Sequence, residues 1–115
     1  MKDQAVIRDR YMRDPLSVRL GGLASNLARI KSFSDNPMHQ HIVEDLINES
    51  KYFIEWTAPD AELDIQSELI ELQLQLARWH NRWEVIWPDP VQRALMAQQV
   101  YMWSQKLLKL SGLLR

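Results

Sequence analysis

The side chains able to do chemistry in this chain are few. The 115 residues include three histidines and no cysteine, which excludes thiolate nucleophiles, disulfides, iron–sulfur clusters and cysteine-ligated zinc. The sequence also lacks a Gly-rich phosphate loop and a G-x-S-x-G nucleophile motif. Candidate chemistry is therefore confined to histidines, carboxylates and arginines that folding brings together.

Metal binding is poorly supported by the spacing of these residues. A di-iron helical bundle needs a Glu three residues before a His on facing helices, and none of the three histidines has one. His41 and Asp45 could share one ion on a helix surface, but such pairs are common surface contacts. His39 and His41 lie two residues apart and point in different directions on a helix. We therefore expect no metal and no cofactor.

Two carboxylates, Glu49 and Glu68, fall near the apolar seams of their predicted helices. Facing each other at mid-height in a bundle, they would form a buried pair with raised pKa values, as general acid–base catalysts do. The favoured alternative is internal pairing with Arg19 or Asn26, which flank the apolar stripe of the first long helix. We therefore predict that the protein is not an enzyme.

The element that must position these residues is a long helix. Apolar residues recur over residues 65–86 in alternating steps of four and three, which indicates one face of an amphipathic helix. Three Asp/Asn-Pro pairs, Asp14-Pro15, Asn36-Pro37 and Asp89-Pro90, predict other helix starts, since the side chain caps N–H groups and proline sets the first turn. Pro88 should end the long helix, and Gly112 should close the last one.

The predicted fold is all-α. Helices are expected over about 15–33, 37–56, the low sixties to 87, and 90–111. Short connections make consecutive helices antiparallel, which gives an up-down-up-down four-helix bundle. Residues 1–13 are predicted to be an N-terminal arm that docks through Val6, Ile7, Tyr11 and Met12, and residues 14–115 a single helical-bundle domain.

Antiparallel packing would bring several polar and aromatic residues to one pole of the bundle. The candidate ligand-binding residues among them are His39, Trp79, His80, Trp83 and Arg93. A polar group within an aromatic helix end could bind an anion or another small ligand. The alternative is simple packing, because helix-end residues lie near water and arginine stacks well on indole.

Two helices also carry apolar residues away from their main faces. On the third long helix these include Leu63, Ile70 and Leu74, and on the fourth Leu95 and Met102. Contiguous exposed apolar surface usually marks an interface, so a homodimer or a helical partner is the leading interpretation. The alternative is that the bundle turns these residues inward, or that the N-terminal arm covers them.

Charge and hydropathy limit the partners further. Fourteen Lys and Arg balance fifteen Asp and Glu, for a net charge of −1, which disfavours binding to a phosphate backbone. The segment from Leu23 to Ile30 resembles the first helix of a helix-turn-helix, but the next helix is acidic, so nucleic-acid partners are not expected. Neither a signal peptide nor a run of about eighteen apolar residues occurs. We therefore expect no membrane partner and a cytoplasmic location.

A wider resemblance covers most of the chain. The stretches RLGGLASNLARIKSFS (19–34) and ESKYFIEWT (49–57), with the Gln/Trp-rich third helix, resemble small uncharacterised all-helical proteins of cyanobacteria. The resemblance implies no activity and transfers no functional residue. The sequence thus favours a non-catalytic protein-interaction module, with a ligand-binding bundle as the alternative.

Overall fold

The computed structural model describes residues 3–113, and these form an all-helical fold. Six α-helices follow one another along the chain: α1 (Gln4–Met12), α2 (Leu16–Phe33), α3 (Gln40–Thr57), α4 (Leu63–Asn81), α5 (Trp83–Ile86) and α6 (Pro90–Ser111). Short 3-10 turns at Pro37–His39 and Ala58–Asp60 precede α3 and α4. The predicted all-α class is therefore confirmed. The apolar repeat of the last predicted helix runs from Met96 in steps of four and three to Leu114, and Leu114 lies outside the described residues.

Local capping chemistry explains most of the helix ends. The Asn36 side chain accepts a hydrogen bond from the Met38 N–H at 2.9 Å, and Asp89 accepts one from Val91 at 2.9 Å. Gly112 ends α6 in the left-handed conformation, with φ +77°, where a residue without Cβ is least strained. These three predicted caps are confirmed.

The predicted cap of α2 is wrong. Pro15 occupies the N-cap position and no side chain caps this end. The Asp14 N–H donates to the Tyr11 carbonyl at 3.3 Å, and the Asp14 carbonyl accepts from Arg19 Nε at 3.1 Å. Asp14 therefore closes the turn after α1 instead of opening α2.

The long helix expected up to Trp87 is interrupted at Arg82. This residue has φ −110° and ψ 23°, which ends α4 and serves as the N-cap of α5. Its N–H lies 3.2 Å from the carbonyls of both Arg78 and Trp79. The break redirects the chain so that Trp83, Ile86 and Trp87 are all buried. Apolar burial thus outweighs the loss of helix continuity.

The core forms around α2, which packs extensively against both α3 and α6. Leu23, Leu27 and Ile30 of α2 are inaccessible to solvent. Helix α4 covers the remaining side through Leu69, Leu72 and Leu76. Its backbone approaches that of α6 at few points, so the α4–α6 seam is bridged mainly by long side chains.

Side-chain hydrogen bonds between neighbouring helices follow a reversed residue numbering. Gln66 binds the Ala58 carbonyl, Gln73 the Lys51 carbonyl, and His80 the Glu44 side chain. Each step of seven along α4 is thus matched by a step of seven back towards the start of α3. The same reversal joins α4 to α6 through Glu68 with Lys106 and Gln75 with Gln99. This numbering pattern is the one that antiparallel neighbours produce.

The N-terminal arm contains a helix that docks through Tyr11, with Ile7 and Met12 also packed against the core. Tyr11 is buried and stacks on Phe53 of α3, with ring centroids 4.0 Å apart. Val6, by contrast, is 52% exposed. The expectation that Val6 contributes to docking is therefore wrong, because α1 turns that side of the helix to solvent. Among residues 3–113, no helix has the length and hydropathy needed to cross a bilayer.

Candidate interaction surface and helix-end cluster

Trp87 connects the residues predicted to meet at one pole. Its indole Nε1 donates to the Pro37 carbonyl at 2.9 Å, and its ring stacks on that of Trp83 with centroids 5.2 Å apart. The Arg93 guanidinium lies 5.4 Å from the Trp87 ring centroid. The antiparallel packing predicted from the sequence also places Trp87 at this pole, but the five predicted ligand residues do not include it.

Arg93 serves as a cap for two chain segments. Its Nε donates to the Ser34 carbonyl at 3.2 Å, and its terminal nitrogen donates to the Trp87 carbonyl at 2.7 Å. Carbonyls at helix ends lack partners within their own helix. The guanidinium therefore stabilises the ends of α2 and α5, using donors that an anion would otherwise engage.

His39 is likewise committed to a helix end. Its Nδ1 lies 3.2 Å from the Phe33 carbonyl, and its ring meets the Phe33 ring edge-on at 5.2 Å. His39 and Arg93 thus lie on the α2 end of the pole. This arrangement is structural support between α2, α3 and α6.

A second part of the pole is a polar groove of ≈ 390 Å³ between α3 and the α4–α5 break. His80 Nε2 lies 3.1 Å from Glu44 Oε2 on its wall, and Trp83 also lines it. The Trp83 Nε1 atom is buried and finds no acceptor within residues 3–113. Trp79 is buried in the adjoining core. Of the five predicted ligand residues, only His80 and Trp83 share this groove.

The two carboxylates considered for catalysis are not brought together. Glu49 accepts a hydrogen bond from Asn26 Nδ2 at 3.1 Å, which joins α3 to α2. Glu68 instead pairs with Lys106 on α6. Arg19, one of the expected partners, pairs with Asp60 at 2.9 Å. The carboxylate pair is therefore wrong, because each side chain faces a different neighbouring helix.

The predicted interface residues are exposed. We define the α4 stripe as Leu63, Ile70 and Leu74, and the α6 stripe as Val91, Leu95 and Met102. Each of these side chains is about half exposed or more, from 49% for Leu74 to 79% for Leu63. Covering large aliphatic groups with protein gains free energy at about 25 cal/mol per Å² of apolar surface. Both stripes are therefore available for association.

Residues of the two stripes line grooves on different sides of α4. Ile70 and Leu74 line a largely apolar groove of ≈ 460 Å³ with Ile54 and Pro59 of the α3 end. Met102 instead lines a groove of ≈ 710 Å³ at the α4–α6 seam, together with Gln75. The outer surface of α4 separates these grooves, so the stripes border one broad face instead of one continuous patch.

Comparison with protein-family models, curated proteins and solved structures yields no match to this chain. The resemblance to helical proteins of cyanobacteria stays a prediction. Within residues 3–113, no group of three or more His, Asp or Glu side chains is placed to hold a metal ion. The exposed stripes and the polar groove are the two candidate functional features.

Proposed function

We propose that this chain is a protein-interaction module without catalytic activity, and that it forms a homodimer through the α4 and α6 stripes. The observation that carries the proposal is the exposure of the stripe side chains, such as Ile70 at 53% and Met102 at 64%. Singly exposed apolar residues are ordinary, whereas a row of them on one side of a helix marks a candidate interface.

The proposal includes a topology for the four long helices. We take α2, α3, α4 and α6 to run alternately up and down. Helix α1 precedes this bundle and packs on α3 through Tyr11. The reversed numbering of hydrogen-bonded pairs, such as Gln75 with Gln99, supports this arrangement. It leaves α4 and α6 side by side, so that both stripes face away from α2.

The test compares the oligomeric state of three proteins by sedimentation velocity. The wild type should sediment as a dimer, and the variant with Ile70→Glu and Leu74→Glu should sediment as a monomer, because a dimer would then bury charge without partners. Val6→Glu is the matched control, since Val6 is 52% exposed on α1, away from both stripes. Its dimer should persist.

Circular dichroism separates an interface from a core role. The doubly substituted variant should keep wild-type helicity and cooperative unfolding. A monomeric wild type, or unfolding of that variant, would overturn the proposal, since Ile70 and Leu74 would then have no role in association or would belong to the core.

A second candidate function, binding of a small ligand, is favoured by one observation. Trp83 is buried beside His80 and Glu44, and its indole N–H finds no acceptor in the described part of the chain. A buried donor without a partner costs about 1–3 kcal/mol. A ligand in the groove with an acceptor group would remove that cost once the Trp83 side chain turned its buried Nε1 towards it.

Inorganic phosphate and acetate are suitable first probes of the groove. Binding should shift tryptophan emission and give heat in titration calorimetry, and both signals should be lost in His80→Ala. If neither phosphate nor acetate gives heat at millimolar concentration, an anion site in this groove is contradicted.

A further inference from the structure

The outward charges of α4 and α6 have opposite signs. Helix α6, Pro90–Ser111, contains no Asp or Glu, and its two lysines, Lys106 and Lys109, are exposed. The first half of α4 contains Asp64, Glu68 and Glu71, and its first basic residue is Arg78. Each helix therefore carries an exposed apolar stripe and charges opposite in sign to those of the other helix.

Only part of this charge is paired within the chain. Lys106 contacts Glu68 across the seam. Glu71 and Lys109 are exposed, and neither has an ion-pair partner among residues 3–113. Because surface ion pairs are easily exchanged, a second chain could engage the same groups at little cost.

We propose that the dimer interface is reciprocal, with α4 of each copy lying antiparallel on α6 of the other. This inference rests on the proposed function and specifies its partner as a second copy of this chain. The α4 stripe would pack on the C-terminal half of α6 of the second copy, with Leu74 near the partner subunit's Met102. Glu68 and Glu71 would then lie beside the partner subunit's Lys106 and the partner subunit's Lys109.

Two-fold symmetry makes this arrangement complete. Each contact from α4 to α6 occurs twice, so the assembly closes at two copies instead of growing into a fibre. The direction is fixed because the acidic half of α4 is N-terminal, whereas Lys106 and Lys109 lie near the C-terminal end of α6. A parallel crossing would leave these groups apart. The apolar stripes would supply most of the affinity, and the charges would set orientation.

The test is charge reversal followed by mixing. One variant carries Lys106→Glu with Lys109→Glu, and the other carries Glu68→Lys with Glu71→Lys. In either homodimer, α4 meets an α6 of like charge, so self-association should weaken on the order of tenfold or more at low salt. In the mixture, both crossings regain opposite charges, and a heterodimer should form with near wild-type affinity. Native mass spectrometry with one variant isotopically labelled distinguishes the species.

A third variant protects the test against a folding defect. Combining all four substitutions in one chain restores the pairing of residues 68 and 106 within the monomer as well as the proposed contacts between copies. This variant should fold and dimerise like the wild type. Circular dichroism of each variant reports helicity independently of association.

Different outcomes separate the two proposals. A dimeric wild type whose charge-reversed variants fail to form a heterodimer, although folded, would overturn the reciprocal α4–α6 crossing alone. The same holds if the reversed variants dimerise as tightly as the wild type. A monomeric wild type in the same experiment would overturn both this inference and the proposed homodimer.

Discussion

The Tyr11 hydroxyl donates a hydrogen bond to the Arg19 carbonyl at 2.7 Å. The same oxygen lies 3.0 Å from Thr57 Oγ1, and the ring stacks on Phe53. One phenol therefore ties α1 to both α2 and α3. Because Tyr11 is the buried residue of α1, docking of this helix depends on a neutral, hydrogen-bonded side chain.

This contact predicts a loss of stability in alkali. Burial raises the pKa of Tyr11 from 10.0 to about 12, with the Thr57 hydrogen bond acting in the opposite direction. The unfolded chain therefore loses this proton near pH 10, while the folded chain keeps it. The stabilisation is complete below pH 10 and lost as the pH rises through about 12, and it amounts to about 2–3 kcal/mol.

Tyr11→Phe provides the control for the alkaline loss. Urea unfolding at about pH 8 and about pH 11 should show a larger drop in free energy for the wild type than for Tyr11→Phe, because only the wild type carries this phenol. Lysines and the other tyrosines contribute equally to the drop in unfolding free energy of both proteins. Equal drops would show that Tyr11 is accessible to hydroxide in the folded state.

The two adjacent glycines of α2 have different neighbours. A Cβ on Gly21 would lie 2.6 Å from Leu113 Cδ1, whereas one on Gly22 would lie 3.7 Å from Tyr11 Cε1. Gly22→Ala should therefore raise the free energy of unfolding by about 1 kcal/mol, the usual helix gain over glycine. Gly21→Ala should gain less, since Leu113 must move.

A double-mutant cycle isolates the cause of that difference. In a Leu113→Ala background, Gly21→Ala should gain as much as Gly22→Ala, because the obstructing methyl group is gone. Urea denaturation of the four proteins gives the coupling free energy. If Gly21→Ala gains equally with and without Leu113, the close approach of the chain end to α2 is absent in solution.

Arg93 predicts a stability effect at the opposite end of the bundle. Arg93→Ala removes donors to the Ser34 and Trp87 carbonyls and should cost about 2 kcal/mol. The free energy of unfolding of Arg93→Lys should lie between those of the wild type and Arg93→Ala, since an ammonium lacks the planar fork of the guanidinium. Urea unfolding followed by tryptophan emission measures both. Wild-type stability in Arg93→Ala would contradict the capping role.

Local signals along the sequence were enough for the helices and several caps. The side chains of Asn36 and Asp89 accept hydrogen bonds from backbone N–H groups within three residues along the chain. Gly112 takes a left-handed conformation that its lack of Cβ favours. The exposure of Ile70 and Met102 also followed from helical angles. The caps depend only on neighbours along the chain, whereas the exposure of Ile70 and Met102 also requires that no other helix of the chain covers them.

Features set by tertiary contacts were not predictable in the same way. The break at Arg82 has no proline or glycine to announce it, and its cause is the burial of Trp83 and Trp87 against other helices. Likewise, Arg93 was correctly placed at the pole, but its commitment to the Ser34 and Trp87 carbonyls depends on where α2 and α5 end. Sequence angles could not assign those partners.

The measurement closest to the central claim is native mass spectrometry of the wild-type protein isolated from its own cells. The exposed α4 and α6 stripes predict a species at twice the chain mass of 13.6 kDa, which should dissociate in the Ile70→Glu, Leu74→Glu variant. A wild type found only as a monomer, with or without a bound small molecule, would contradict the account of these stripes as a homodimer interface.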